Sequence, residues 1–367
     1  MTDSPITDLD ELLDAFGTDS LDDVAWMIEE AASDVTDGRV VTIADESDEA
    51  FTVIVDRFGT EIEFPTTMAK IIDVANDLEA LLQQADRTYR VIQGDPGSRV
   101  VLHVPHASRV IPPDVRGDIL LDDDALEREL DAMTDAFTDV IAERSADLTH
   151  LRPWIFVNET SRLVVDPERF PDETEEMNAV GMGAIYTRTS TGAGLRDDDA
   201  AADPTLLEKY FEPYAEALTR LVDERLRAAG QVIIVDLHSY PLEPLPYELH
   251  DGPRPEVCLG TDDFHTPDAL VDTARAAFSS FETDFNTPFA GCYIPLTHYR
   301  SAENVHGLMI ELRRDLYLDE SFALVEPAVE PIAQAVATLL DDVDLGVIIT
   351  CEGMNDVDGQ LVVEEDA

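Results

Sequence analysis

The sequence predicts an α/β fold: a mixed, largely parallel sheet flanked by helices, with a small acidic α+β appendage in front of it. Three observations predict it. Short apolar, β-branched runs recur from residue 99 onward. Amphipathic helical patterns separate them. A run rich in glycine and proline, Gln93-Gly94-Asp95-Pro96-Gly97-Ser98, sets both off from residues 1–92. Strands alternating with helices are the signature of crossover units, which bury parallel strands on both faces.

In order along the chain, residues 1–92 read as an accessory unit. Acidic helical patterns lie near 8–16 and 20–33, and Arg39–Ile43 and Phe51–Val55 alternate like strands. Thr66–Gln84 spaces Met68, Ile71, Ile72, Val74, Leu78, Leu81 and Leu82 along one helix side. This unit has no histidine or cysteine, which argues against a catalytic role. Residues 93–98 form the linker, and 99–345 the main domain. Arg99–Val104 is a strand that runs into Pro105-His106. Asp123–Arg144 reads as one long helix, Leu163–Val165 as a strand, and Pro204–Ala229 as a helix capped by Gly230. Gln231–Leu237, almost wholly apolar, fits a buried parallel strand. Val257–Gly260 and Leu308–Leu312 are further strands, with a helix over Pro267–Phe278 between them. Glu320–Asp341 is a helix interrupted by Pro327 and Pro331, and 346–367 is a strand-like run with an acidic tail.

Charge narrows the function. The chain has 367 residues, 79 Asp+Glu against 24 Lys+Arg, and a net charge of −55. That excludes ordinary nucleic-acid binding, which needs a basic face, and argues against docking on anionic lipid. A hydrophobic content of 44% also excludes a disordered acidic chain. Cys258, Cys292 and Cys351 show no paired spacing, so neither a disulfide framework nor a zinc knuckle is expected. The opening Met1-Thr2-Asp3-Ser4-Pro5 lacks the features of a signal peptide, and no apolar run reaches membrane-span length. These features imply a soluble, cytoplasmic protein; the sequence leaves its oligomeric state open. No GxGxxG, Gly-Lys-Ser/Thr phosphate loop or Gly-x-Ser-x-Gly elbow occurs.

In open α/β sheets, sites form at the carboxyl ends of strands. His106, His238 and Glu311 each stand where an apolar strand gives way. Two imidazoles and a carboxylate can hold a catalytic zinc, or another divalent ion, while a second carboxylate acts as base. The alternative for Glu311 is an ion pair with Arg313 or Arg314. His103 faces away from His106 and reads as core or support. His150, His250, His265 and His306 read as structural. Arginine grips carboxylates in a bidentate way. Arg169 is therefore assigned to a substrate α-carboxylate, and Arg162 to a second carboxylate or an oxyanion, with internal ion pairing as the alternative for both. Tyr293, His298 and Arg300 lie in a loop that could close over substrate, with plain loop packing as the alternative.

The runs Pro105-His106-Ala107-Ser108-Arg109-Val110-Ile111-Pro112, Met133-Thr134-Asp135-Ala136-Phe137-Thr138-Asp139, Asp236-Leu237-His238-Ser239, Asn286-Thr287-Pro288-Phe289-Ala290-Gly291-Cys292-Tyr293 and Glu311-Leu312-Arg313-Arg314-Asp315-Leu316-Tyr317 occur in the order of the N-formylglutamate amidohydrolase family. Over roughly residues 99–340 the chain resembles that family. The resemblance implies a zinc-carboxypeptidase-like (phosphorylase/hydrolase-like) fold. It also implies zinc on His106 and His238, with Glu311 as general base. Asp166-Pro167-Glu168-Arg169 resembles an Asp-x-Asn-Arg segment that binds a substrate carboxylate.

Two positions depart from the pattern. Carboxypeptidases carry a ligand glutamate three residues after the first histidine; here that residue is Arg109. The acidic ligand is then sought at Asp135 or Asp139, four apart on one helix face, with Asp135 preferred and a solvated acidic face as the alternative. Glu168 stands where the family has asparagine, and a carboxylate there repels an acidic substrate unless an arginine offsets it. The activity implied is hydrolysis of a small N-acyl amino acid, foremost N-formyl-L-glutamate. Alternatives are a carboxypeptidase-like or other deacylating enzyme, and a non-catalytic metabolite-binding paralogue. Few lysines and abundant surface carboxylates resemble the proteins of extreme halophiles.

Overall fold

The computed structural model describes residues 40–47, 50–57, 60–67, 88–202, 204–248 and 252–345. The chain divides into two units at Thr88/Tyr89. In the first, β1 (Val40–Ser47), β2 (Ala50–Arg57) and β3 (Thr60–Thr67) form an antiparallel sheet in the order β1-β2-β3. β1 and β2 coincide with the runs read as strands. β3 takes in Thr66 and Thr67, where a helix was expected to begin. The rest of that helix, the acidic patterns near 8–16 and 20–33, His250 and the tail lie outside the described residues.

The second unit holds a seven-stranded sheet. Its elements are β4 (Tyr89–Ile92), β5 (Val100–Val104), α1 (Asp123–Met133), α2 (Thr138–Leu148), β6 (Trp154–Asn158), α3 (Glu212–Ala229), β7 (Val232–Tyr240), β8 (Val257–Gly260), α4 (Asp268–Ala277), β9 (Thr283–Phe285), β10 (Val305–Arg313) and α5 (Glu326–Leu345). Strand order is β4-β6-β5-β7-β10-β8-β9. The four central strands, β6-β5-β7-β10, are mutually parallel; β4 and β8 run antiparallel to their inner neighbours. The sheet is thus mixed and largely parallel, and helices flank it.

Period-two alternation separates the faces. Leu102, Val235, Leu237, Leu308 and Ile310 pack with Ile141 of α2, Leu270 of α4 and Ile332 and Val336 of α5. Val101, Ile234 and Val305 pack on the other side with Tyr214, Leu218 and Leu221 of α3. The chain moves from β5 out to β6, then returns past β5 to β7. This reversal between β5 and β7 opens a crevice at their carboxyl ends, where ligands bind in such sheets.

Several local expectations change. β4 pairs antiparallel with β6, so Tyr89–Ile92 belongs to the main sheet rather than to the appendage; Tyr89 also stacks on Phe156 at 5.1 Å. Asp123–Arg144 is two helices. Thr134 is extended and Phe137 is left-handed at φ 63°, which breaks the helical hydrogen-bond ladder between α1 and α2. Asp135 sits in this break, so Asp135 and Asp139 do not share a helix face. Leu163–Val165 is a buried turn rather than a strand; β4, not this segment, pairs with the outer side of β6. α5 begins at Glu326, so Pro327 sits in its first turn, where a missing N–H costs nothing, and Pro331 lies inside it. Among the described residues, no helix is long and apolar enough to cross a membrane.

Candidate active site

The alternation that buries Val235 and Leu237 on one face turns Asp236 and His238 to the other. The parallel register sets Glu311 directly beside His238, so both carry their side chains to the same rim. β5 ends at Val104, and His106 reaches that rim two residues later. Asp135 comes from the break between α1 and α2, where its N–H donates to the His106 carbonyl at 2.9 Å. Four residues remote in sequence thus share one crevice.

His106 Nδ1 and His238 Nδ1 lie 3.2 Å apart. Asp135 Oδ2 lies 3.2 Å from His238 Nδ1 and 3.6 Å from His106 Nδ1. The edges of a tetrahedron around a zinc ion with 2.0–2.1 Å bonds measure about 3.3–3.4 Å. The three atoms therefore have the spacing and chemistry to hold one metal ion. Each ring is backed by a carboxylate. His106 Nε2–H donates to Asp166 Oδ1 at 2.9 Å, and His238 Nε2 lies 3.0 Å from Asp236 Oδ2. The acceptor at His106 Nε2 keeps a proton there and turns Nδ1 towards the metal position; His238 Nε2 is near carboxylate oxygen but makes no aligned hydrogen bond. Asp236 is itself held by His103 Nδ1–H at 2.9 Å and by the Tyr293 N–H at 3.3 Å.

Asp135 is fixed by Arg314, whose Nη2 is 3.1 Å from Asp135 Oδ1. The same guanidinium donates to Ser239 Oγ at 3.0 Å and to the Ala132 carbonyl at 2.7 Å. Arg314 thus pairs with Asp135, and Arg313 with Asp315 at 2.7 Å. Among the described contacts neither pairs with Glu311, and Glu311 Oε2 is buried without a hydrogen-bond partner.

Electrostatics follow from burial and from these pairs. Burial opposes ionisation of Asp135, yet hydrogen bonds from His106 and His238 and the charge of Arg314 hold its carboxyl well below the usual range. Burial also disfavours a charged His238, but Asp236 and Glu168 outweigh it and raise the ring well above its ordinary value. His106 rises too: burial and Arg162 oppose the charge, and Asp166 and Asp135 prevail. Glu311 moves the opposite way to Asp135. Burial pushes its carboxyl up to about 8.

The crevice opens into a cavity of about 360 Å³, lined among others by Arg162, Arg169, Tyr293, Tyr247 and Phe289. Such a volume, at the lower end for ligand sites, suits a small molecule. Arg162 donates to Asp166 Oδ2 at 2.7 Å and to the Tyr186 hydroxyl at 3.1 Å. Arg169 lies 3.5 Å from Asp166 Oδ2, and its Nε is buried without a hydrogen-bond partner. Both arginines therefore stand on one buried carboxylate and line the cavity. Arg109 points elsewhere, to Glu127 and Asp131 on the surface at 2.8 Å each, so it neither ligates nor blocks the crevice. His298 lies 3.0 Å from Asp223, and Arg300 3.5 Å from Asp262. His103 is a buried support, and Asp139 lies in the first turn of α2.

The sequence reading missed Arg314 as the anchor of Asp135. It also missed Asp236 as the carboxylate behind His238, although the i, i+2 spacing on a strand already places the two on one face. Asp166 was read only as part of a substrate-binding segment.

The fold and site define an α/β protein with a ligand crevice at its topological switch point and a histidine–aspartate group able to hold a metal. The chain belongs to the N-formylglutamate amidohydrolase family, a family of hydrolases: residues 98–318, more than half of the chain, match the family model of that description. The crystal structure of N-formylglutamate amidohydrolase from Ralstonia eutropha JMP134 has the same fold, with a TM-score of 0.59 at 21% identity, over 70% of this chain and 97% of that one. More distant likenesses are a bacteriophage poly-γ-glutamate hydrolase (TM-score 0.30, 11% identity, 72% and 95% of the two chains) and a zinc-free form of YNDL (TM-score 0.30, 13% identity, 71% and 95%). No functionally curated protein matches the sequence.

Proposed function

We propose that this chain hydrolyses the amide bond of a small N-acyl amino acid, with N-formyl-L-glutamate giving formate and glutamate as its reaction. The observation that carries this reading is the convergence of His106 Nδ1, His238 Nδ1 and Asp135 Oδ2 within 3.6 Å beside a carboxylate with an unpartnered oxygen, Glu311. His106, Asp135 and His238 are the residues that would hold a zinc ion or another divalent cation. Bound there, such an ion supplies Lewis acidity for amide hydrolysis. Glu311 takes a proton at Oε2 from the attacking water as the new C–O bond forms. It returns that proton to the amine nitrogen as the C–N bond breaks. Burial raises the carboxyl of Glu311 in the metal-free protein; a cation held beside it would favour the carboxylate again and so the base form. Arg169, which lines the cavity with its Nε free of hydrogen bonds, would take the α-carboxylate of the substrate. Arg162 would take its second carboxylate or the charge that develops on the carbonyl oxygen. Tyr293 covers the side of the cavity next to Asp236.

The test is formate release from N-formyl-L-glutamate in molar KCl, set against release of free amino acids from peptides. Glu311→Gln should keep its metal and lose turnover by at least about 10²–10⁴-fold. Full activity in that variant removes Glu311 from the role. A protein that takes up no metal and turns over neither substrate is a binding paralogue instead.

A further inference from the structure

Glu168 occupies the position where the family segment carries asparagine, and a carboxylate in a substrate cavity is expected to repel an acidic substrate. The structure turns that carboxylate another way. Its Oε2 lies 3.3 Å from His238 Nε2 and 3.7 Å from His106 Nε2, and its Oε1 lies 3.6 Å from His103 Nδ1. The Glu168 N–H donates to Asp166 Oδ1 at 3.2 Å, the same oxygen that accepts from His106 Nε2. The backbone that carries Glu168 is therefore tied to the support of the first histidine while its side chain reaches the second.

Two atoms in this cluster are buried without a well-aligned hydrogen bond: His238 Nε2 and Glu168 Oε1. Asp236 Oδ2 is close to His238 Nε2 but sits two residues away on the same strand, where its angle to the ring is poor. A buried donor is costly to leave unpaired. The other carboxylate beside it is Glu168, whose Oε2 lies 3.3 Å away on a separate segment and is not held by the strand that carries His238.

We propose that Glu168 is a positioning residue shared by the two candidate ligand imidazoles. It holds the Nε2–H form of His238, supports that of His106, and adds a negative charge behind the cation they bind. The proposal rests on the metal-site reading above. A neutral asparagine brings no charge and is one methylene shorter. Glu168 thus acts inward on the histidines, while Arg162 and Arg169 line the cavity.

The experiment is a zinc competition titration of the full chain, stripped of metal, against a chromogenic chelator in molar KCl, comparing wild type with Glu168→Gln. Carboxylates behind metal-ligating histidines are typically worth 10–100-fold in affinity, so zinc binding should weaken by about that factor while KM for N-formyl-L-glutamate moves by less than about two-fold. In the metal-free protein, the ¹⁵N chemical shift of His238 Nε2 should move in the variant, because its N–H loses the neighbouring Glu168 carboxylate. Zinc affinity and ring shifts unchanged from wild type overturn the proposal. So does a several-fold fall in KM at unchanged zinc affinity, because the carboxylate then faces substrate. Glu168→Asn takes the place of the glutamine variant, with the same outcomes, if that variant does not fold. Wild-type protein that binds no zinc overturns this inference and the metal site together; intact wild-type binding with an indifferent variant overturns this inference alone.

Discussion

Replacing Glu311 by glutamine should stabilise the metal-free protein at alkaline pH, although it removes the proposed base. Glu311 is 8% exposed. Burial raises its carboxyl from 4.5 to about 8, with His238 opposing and Asp135 reinforcing the rise. A folded-state value above the unfolded one means that the folded chain binds more protons between these limits. The contribution of this residue to stability is therefore intact below about pH 4.5 and is lost as pH rises through about 8. At 1.36 kcal/mol per unit, the span corresponds to about 5 kcal/mol. Glutamine keeps the shape and removes the buried charge. Urea unfolding of the metal-free proteins in molar KCl should give similar stabilities near pH 5, with the variant ahead by up to about 5 kcal/mol at pH 9. The net charge of −55 titrates almost identically in both proteins, so the difference reports Glu311 together with the His238 and Asp135 charges that face it. Parallel stability curves from pH 5 to 9 would refute the burial reasoning.

Other outcomes follow from the same geometry. Asp135→Asn should abolish stoichiometric metal uptake, measured by elemental analysis, whereas Asp139→Asn should leave it unchanged. Arg169→Met should raise KM for N-formyl-L-glutamate by about 10–150-fold, the worth of one charge-assisted contact, with a smaller change in kcat. His238 is held protonated in the metal-free protein, and a ligand imidazole must lose its Nδ1 proton. Zinc uptake at pH 7 should therefore expel at least one proton, read by calorimetry in buffers of different ionisation enthalpy. Uptake without proton release would contradict the charge state assigned to the pair.

Particular residues show how much of the site could be read in advance. His106, His238 and Glu311 were legible because each ends an apolar run, and strand ends are where open sheets place their chemistry. Asp135 was singled out for a wrong reason. Helical spacing nominated it, yet it reaches the crevice because the helix breaks at Phe137, whose left-handed backbone has no clear sequence signal. The edge strand Tyr89–Ile92 was assigned to the appendage because its partner, β6, lies some sixty residues later. Leu163–Val165 has a strand composition but pairs with none of the described strands.

By itself, the sequence determined the alternation of strands and helices, the acidic surface, the order of the family's motifs and which residue types could carry hydrolysis. Those properties are written in local periodicity and composition, which need no distant partner. The tertiary structure alone decided that β5 lies against β7, that Arg314 anchors Asp135 across 179 residues, and that Glu168 turns towards two histidines. Register, strand order and buried ion pairing are set by contacts between remote segments, and a linear pattern does not encode which remote segment satisfies a given buried group.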